Sequence, residues 1–268
     1  MPIGPARMPL FDHLAEFRRR LTIVIVSVIA AALVVYLATP TLISIMFDPI
    51  YAVLPEGSQL TVLSALGGFS IRFKVSLFFG SIMCTPIILW EVLGFFLPAL
   101  TPDERKWVLP TLAAMVALFF LGMIFCYLVI QKAAFGWLIE QITEFATATV
   151  NAEDYLSIMM LLEVGFGFAF QLPLIVFYLS ILHVVPYRTF REGWRYVYVV
   201  LLVLCGVVTP DASPITMVLM YAVMVSLYEI SLAIARHVIV LRDGKEALNW
   251  TREEYEAHEL EKYKRDAN

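Results

Sequence analysis

The sequence predicts an all-α, polytopic membrane protein with six transmembrane helices and both termini on the cytoplasmic side. Two observations carry this. First, 60% of the 268 residues are hydrophobic and only 16% are charged, against about 25% charged in an average soluble domain. Mean hydropathy is +0.81. A chain so poor in polar groups cannot cover its own surface and takes lipid as its solvent. Second, the lysines and arginines alternate along the segments that join the apolar runs, and such alternation sets orientation in a membrane.

The first span covers about Leu21 to Leu37 and is preceded by Arg7, Arg18, Arg19 and Arg20. Segment 39–70 is bare of basic residues until Arg72, yet apolar: "PTLISIMFDPIYAVLPEG" reads as a short amphipathic helix broken at Pro49, then a turn at Pro55–Gly57. It forms a cap over the outer helix ends. The second span, about Ile71 to Leu97, is kinked by Pro86. Arg72 and Lys74 at its outer end snorkel to the interface. Arg105 and Lys106 separate it from the third span, about Val108 to Ile130. Segment 131–154 carries Lys132 among Glu140, Glu144, Glu153 and Asp154. The fourth span, about Tyr155 to Ile181, contains Pro173, and Arg188, Arg191 and Arg195 follow it. The fifth, about Tyr196 to Val208, is short of the roughly 20 residues that cross a bilayer. The sixth, about Ile215 to Ala235, leads to a tail with seven basic residues from Arg236 onward. Residues 1–236 thus read as one membrane domain and 237–268 as a charged cytoplasmic tail. The pair Thr251 and Glu254 is a capping box that opens a solvated helix there.

Several classes of chemistry are not expected. Cys84, Cys126 and Cys205 lie in apolar stretches with no C-x-x-C pair, as small core hydrophobes do. The four histidines (13, 183, 237 and 258) are scattered, so neither a metal site nor another cofactor is expected. Gly244–Lys245 lacks the upstream glycine and the Ser/Thr of a phosphate loop, having Ile239 and Glu246 there. No hydrolase or protease motif falls in a span, so the chain does not read as an enzyme. The first 20 residues do not read as a cleavable signal. Nothing in the charge pattern points to nucleic acid.

Ionisable and amide side chains inside a bilayer are costly and are functional candidates. Glu91 and Glu229 lie near the inner ends of spans two and six, where pairing or snorkelling accounts for them as well as function does. Glu163 and Gln171 lie in span four, eight residues apart, which places them on broadly one side of a helix. Glu163 either meets a polar group on a partner helix or pairs with Arg72 or Lys74.

Four motifs then match a family. "HLAEFRRRL" before span one, "FFLPALTPDER" after span two, "FGFAFQLP" in span four and "VTPD" between spans five and six together resemble the TatC family, the core membrane subunit of the twin-arginine protein translocase. The resemblance covers residues 10 to 236. It implies a curved, glove-like bundle with short fifth and sixth spans, in the bacterial cytoplasmic (inner) membrane. It implies a receptor that binds the twin-arginine signal peptides of folded cargo. That receptor assembles with the single-span subunits TatA and TatB, self-associates in a multi-copy complex, and is driven by the proton-motive force. It places the recognition carboxylates at Glu16 and Glu104, with Arg18 orienting Glu16. A carboxylate takes a guanidinium in a two-pronged fork that an ammonium cannot reproduce. Glu91, Phe95 and Pro98 follow i, i+4, i+7 spacing and share the face leading to Glu104. Pro49, Pro86 and Asp211 mark loops and bends. The sequence departs at Phe17, where leucine is usual, and at Gln171, where glutamate is frequent; the polar contact for a partner helix is expected at Glu163, supported by Gln171. The reading held against this one is a small-solute secondary transporter with a midplane site at Glu163 and Gln171, which predicts inverted repeats that the two halves do not display.

Overall fold

The computed structural model describes residues 10–55, 57–96, 108–144, 146, 149–181, 183–209, 213–255 and 257–258. The chain divides into two compact units, residues 1–163 and 164–268. Among the described residues, four helical segments are long and apolar enough to cross a membrane: Leu14–Tyr51, Val108–Thr143, Ala152–Ile181 and Pro214–Asp243. A fifth arises if the bent pair Gly67–Met83 and Thr85–Phe95 is one span.

In the first unit, α1 (Leu10–Val35) runs through a short 3-10 turn into α2 (Thr39–Tyr51). Helices α3 (Gly67–Met83) and α4 (Thr85–Phe96) meet at Cys84 with a bend of 56°. Pro86 sits in the first turn of α4, where its missing N–H costs nothing, so the expected kink is a clean break between two helices. Helix α1 packs on both α3 and α4. The contact with α3 is close because Gly80 is bare: a Cβ there would stand 2.8 Å from the backbone nitrogen of Ala32. Small residues let helices approach in this way when no hydrophobic force drives them together in lipid.

Pro49 does not break α2, contrary to the sequence expectation. The helix continues to Tyr51 with Pro49 buried inside it. A proline leaves the carbonyl four residues earlier without its donor, and here that carbonyl, Ile45 O, accepts from the Tyr127 hydroxyl at 2.9 Å. The next carbonyl, Met46 O, accepts from the buried Tyr155 hydroxyl at 3.0 Å. Tyr127 belongs to a π-helical stretch, Cys126–Ile130, that joins α5 (Val108–Phe125) to α6 (Gln131–Thr143). Tyr155 belongs to α7 (Ala152–Ala169) and packs against Phe135 with ring centroids 4.6 Å apart.

The fold also contains a feature absent from the all-helical expectation. Strands β1 (Gln59–Thr61) and β2 (Thr149–Asn151) pair in parallel, Leu60 opposite Val150. Beside them Glu153 accepts from Ser70 at 2.6 Å and from Lys74 at 2.8 Å. Lys74 is therefore committed to Glu153 and Ser157 and does not pair with Glu163.

In the second unit, α7 ends at Ala169 and α8 (Leu172–Ile181) begins one residue before Pro173. Helix α11 (Pro214–Asp243) packs on α8 and on α10 (Trp194–Val208). Helix α10 matches the short fifth span. Helix α11 contains the expected sixth span and runs past its end at Ala235, to a length of 30 residues. It starts at a Ser213 cap followed by Pro214 and stops only where Gly244 takes φ 88°. No breaker interrupts it at the polar change after Ala235.

The tail folds back. The capping box forms, with the Thr251 N–H donating to Glu254 at 2.8 Å. Beyond that, the tail is more than a solvated face. His183, which lies in the turn after α8 with φ 50° and is buried, stacks on Tyr255 with ring centroids 4.6 Å apart, and the Arg242 guanidinium lies over the same Tyr255 ring, 5.1 Å from its centroid. Burial, and then the charge of Arg242, hold His183 below its ordinary pKa of 6.5, with Asp243 pulling weakly the other way.

Candidate functional site

The end of α1 carries Glu16, Phe17 and Arg20, and α4 carries Glu91 and Phe95 opposite them. Residues four apart on a helix stand one above the other, so Glu16 and Arg20 face the same way. The Arg20 Nη2 and Nε groups donate to Glu16 Oε1 at 2.6 and 3.0 Å. Its Nη1 reaches across to α4 and donates to Glu91 Oε2 at 2.9 Å. The three side chains are partly buried, with 23%, 22% and 13% of Arg20, Glu16 and Glu91 exposed. Phe17 meets Phe95 edge to face, with centroids 5.9 Å apart. The patch is thus two carboxylates around one guanidinium, with an edge-to-face aromatic pair between the same two helices.

The guanidinium on Glu16 is Arg20's and not Arg18's, which corrects the expectation that Arg18 orients this carboxylate. Arg18 is two residues from Glu16, on the far side of the helix, and is exposed. The sequence reading also left Gly94 unremarked. A Cβ at Gly94 would run into Arg20 Nη1 and come 2.8 Å from Cζ, so the flat guanidinium lies against bare α4 backbone. Glu104, Pro98 and Asp211 lie outside the described residues.

The intramembrane carboxylate has a different partner from either one weighed in the sequence. Gln131 Nε2 donates to Glu163 Oε1 at 2.7 Å. Glu163 is 6% exposed and Gln131 fully buried. Gln131 Oε1 has no hydrogen-bond partner among the described residues. The only sign of Gln131 in the sequence is an amide that closes an apolar run. Gln171 is buried too, and its amide donates to the Gly167 carbonyl one turn back at 3.4 Å. Glu229 ties three helices: its carboxylate takes Arg191 of α9 (Tyr187–Glu192) at 2.9 Å and the Tyr198 hydroxyl of α10 at 2.9 Å.

Residues 12–222 match the family model described as Sec-independent protein translocase protein (TatC). A protein of that name from Aquifex aeolicus is 31% identical over 85% of this chain and 95% of its own length. One from Carboxydothermus hydrogenoformans is 26% identical over 86% of this chain and 94% of its own. The crystal structure of a twin arginine translocase receptor, TatC, is similar with a TM-score of 0.73 at 29% identity, covering 84% of this chain and 98% of the other. These matches support a translocase component in a multi-pass membrane setting and lend no support to a small-solute transporter. The resemblance first carried by four short motifs extends over most of the chain, and the protein belongs to the TatC family of Sec-independent protein translocase proteins.

Proposed function

We propose that the protein is the receptor subunit of a twin-arginine translocase in the bacterial inner membrane. It binds the paired arginines of a folded cargo's signal peptide with Glu16 and Glu104, on a patch that includes Glu91, Phe95 and Pro98. The observation that carries this reading is Glu16 itself. Its carboxylate already takes two N–H groups of a guanidinium, both on Oε1, beside a second carboxylate and an aromatic pair. That is the chemistry an arginine side chain of another chain requires.

The proposal extends to topology and partners. The membrane domain spans residues 1–236 with six crossings, both termini are cytoplasmic, and residues 237–268 form the tail. The basic clusters on alternate segments support this orientation. Single-span subunits of the TatA and TatB kind, and further copies of the chain, assemble around it in lipid, and the proton-motive force drives export. Glu163 and Gln171 are the positions assigned to a partner helix. Gln131 Oε1 has no hydrogen-bond partner among the described residues, and the carboxylate beside it suits a donor on such a helix.

The test is binding of a twin-arginine signal peptide and of its twin-lysine version to the purified chain. Preference for the arginine form by about tenfold or more is expected from a forked, charge-assisted contact. Equal binding of both overturns the receptor reading.

A further inference from the structure

Arg20 occupies Glu16 in the way the proposed cargo arginine would. Its Nη2 and Nε both donate to Glu16 Oε1 at 2.6 and 3.0 Å, its Nη1 donates to Glu91 at 2.9 Å, and the guanidinium lies against Gly94. One cation between two carboxylates leaves a single negative charge in excess. We infer that Arg20 is an internal placeholder for the cargo guanidinium, and that Glu91 makes its exchange possible by keeping hold of Arg20 when Glu16 changes partner. This rests on the receptor reading above and assigns to it a residue that sets affinity without itself needing to touch the cargo.

The argument is one of charge count. With Glu91 present, an incoming arginine turns a site of net −1 into a neutral one. Without Glu91, Glu16 and Arg20 are already a neutral pair, and the same arginine leaves an excess cation in a site where the three groups are mostly shielded from water. An unpaired charge in such surroundings is costly. The spacing allows the exchange. Glu16 and Arg20 are tied only through side chains on one helix, whereas the hold on Glu91 comes from α4 and survives when Glu16 turns away. Gly94 is what lets the guanidinium stay there: the seat against α4 exists only while that position lacks a Cβ.

The experiment measures twin-arginine and twin-lysine peptide affinity for the full chain and for Glu91→Gln, Arg20→Gln, the double variant and Glu91→Asp. Glu91→Gln is expected to weaken twin-arginine binding about tenfold, the scale of one charge-assisted contact. Arg20→Gln tightens it, because the competitor is gone. The double variant recovers to the unsubstituted affinity or better, since Glu16 alone again offers one negative charge and no arginine of its own chain competes for it. Glu91→Asp, which keeps the charge, loses much less than Glu91→Gln. If the double variant binds as poorly as Glu91→Gln, Glu91 contacts cargo directly and the placeholder is overturned while the receptor reading stands. An unchanged affinity in Glu91→Gln overturns it as well. If the unsubstituted chain does not prefer arginine over lysine, both fall together. Melting temperatures separate these outcomes from misfolding: a rescue by Arg20→Gln on top of Glu91→Gln cannot come from a chain that Glu91→Gln unfolds.

Discussion

Glu16 and Glu163 are carboxylates of the same unit, and each is met by one side chain of its own chain, but the partners differ in kind. Glu16 holds a guanidinium in a site open to water by roughly a fifth of each side chain. Glu163 holds a neutral amide in a site almost closed to it. A cation there can be exchanged for another of the same charge at little net cost, because the carboxylate is paired before and after. A buried hydrogen bond from an amide is different: the bond is modest, but removing one member strands the other at a cost of about 1–3 kcal/mol. The first arrangement suits exchange and the second suits holding.

The largest expected effect tests the exchanging side. Glu16→Gln should lower twin-arginine peptide binding tenfold or more, because a charge-assisted hydrogen bond worth ~1.5–3 kcal/mol is lost. It should hardly move the melting temperature. Crosslinking of a signal peptide at unreduced yield would break the comparison at its first term. Glu104→Gln should behave alike.

Next comes the holding side. Glu163→Ala strands the Gln131 amide and should cost ~1–3 kcal/mol of stability, read as a lower melting temperature in detergent and as weaker co-purification of a single-span partner. Peptide binding should persist. Glu163→Gln should be milder, since it still offers Gln131 an acceptor. If Glu163→Ala reduced peptide binding as Glu16→Gln does, the two sites would not be separate.

Tyr127→Phe sharpens the same contrast without touching a carboxylate. It leaves Ile45 O, beside Pro49, without a donor, and should cost about 1 kcal/mol in thermal stability, with peptide affinity unmoved.

The smallest effect concerns a buried group that can change its charge. His183 has its pKa held below 6.5 by burial and Arg242, so its imidazole binds a proton more readily when the tail is undocked than when it is docked. Docking of Tyr255 on His183 is therefore complete above about pH 6.5 and weakens as the pH falls from there towards the lowered value. Limited proteolysis of the tail at pH 5.5 and 7.5 should detect faster cleavage at the lower pH, and His183→Phe should remove the difference.

What the sequence disclosed and what it hid divide along the range of the interactions. The break at Pro86, the short α10 and the Thr251–Glu254 box depend on residues within one turn of each other, and each is legible as a pattern. Pro49 misleads for the opposite reason. Locally it should stop a helix; the donor that mends the ladder comes from Tyr127, in a segment that no local pattern connects to it. The recognition patch divides likewise. Glu16 is visible through its motif, whereas its tie to Glu91 through Arg20 crosses 71 residues. Spacing alone separates Arg20 from Arg18, since only the residue four along from Glu16 shares its face, but topology was a sufficient account of Arg19 and Arg20, and the motif drew the orienting role to Arg18. Gln131 gives no signal because a single amide at the end of an apolar run is ordinary.

The parallel pairing of β1 with β2 has a bearing on the order in which the chain is made. Parallel strands need a long crossover between them, and here the partner of Gln59 is Thr149. A ribosome adding ~5–20 residues per second delivers β2 some seconds after β1, with α3, α4, α5 and α6 emerging in between. During that interval β1 has no strand to lie against, and Ser70 and Lys74 await the carboxylate of Glu153. The first unit therefore closes late in synthesis, by a clasp whose second half comes last, and a nascent chain stopped before residue 149 should carry its helices without the contact that fastens them.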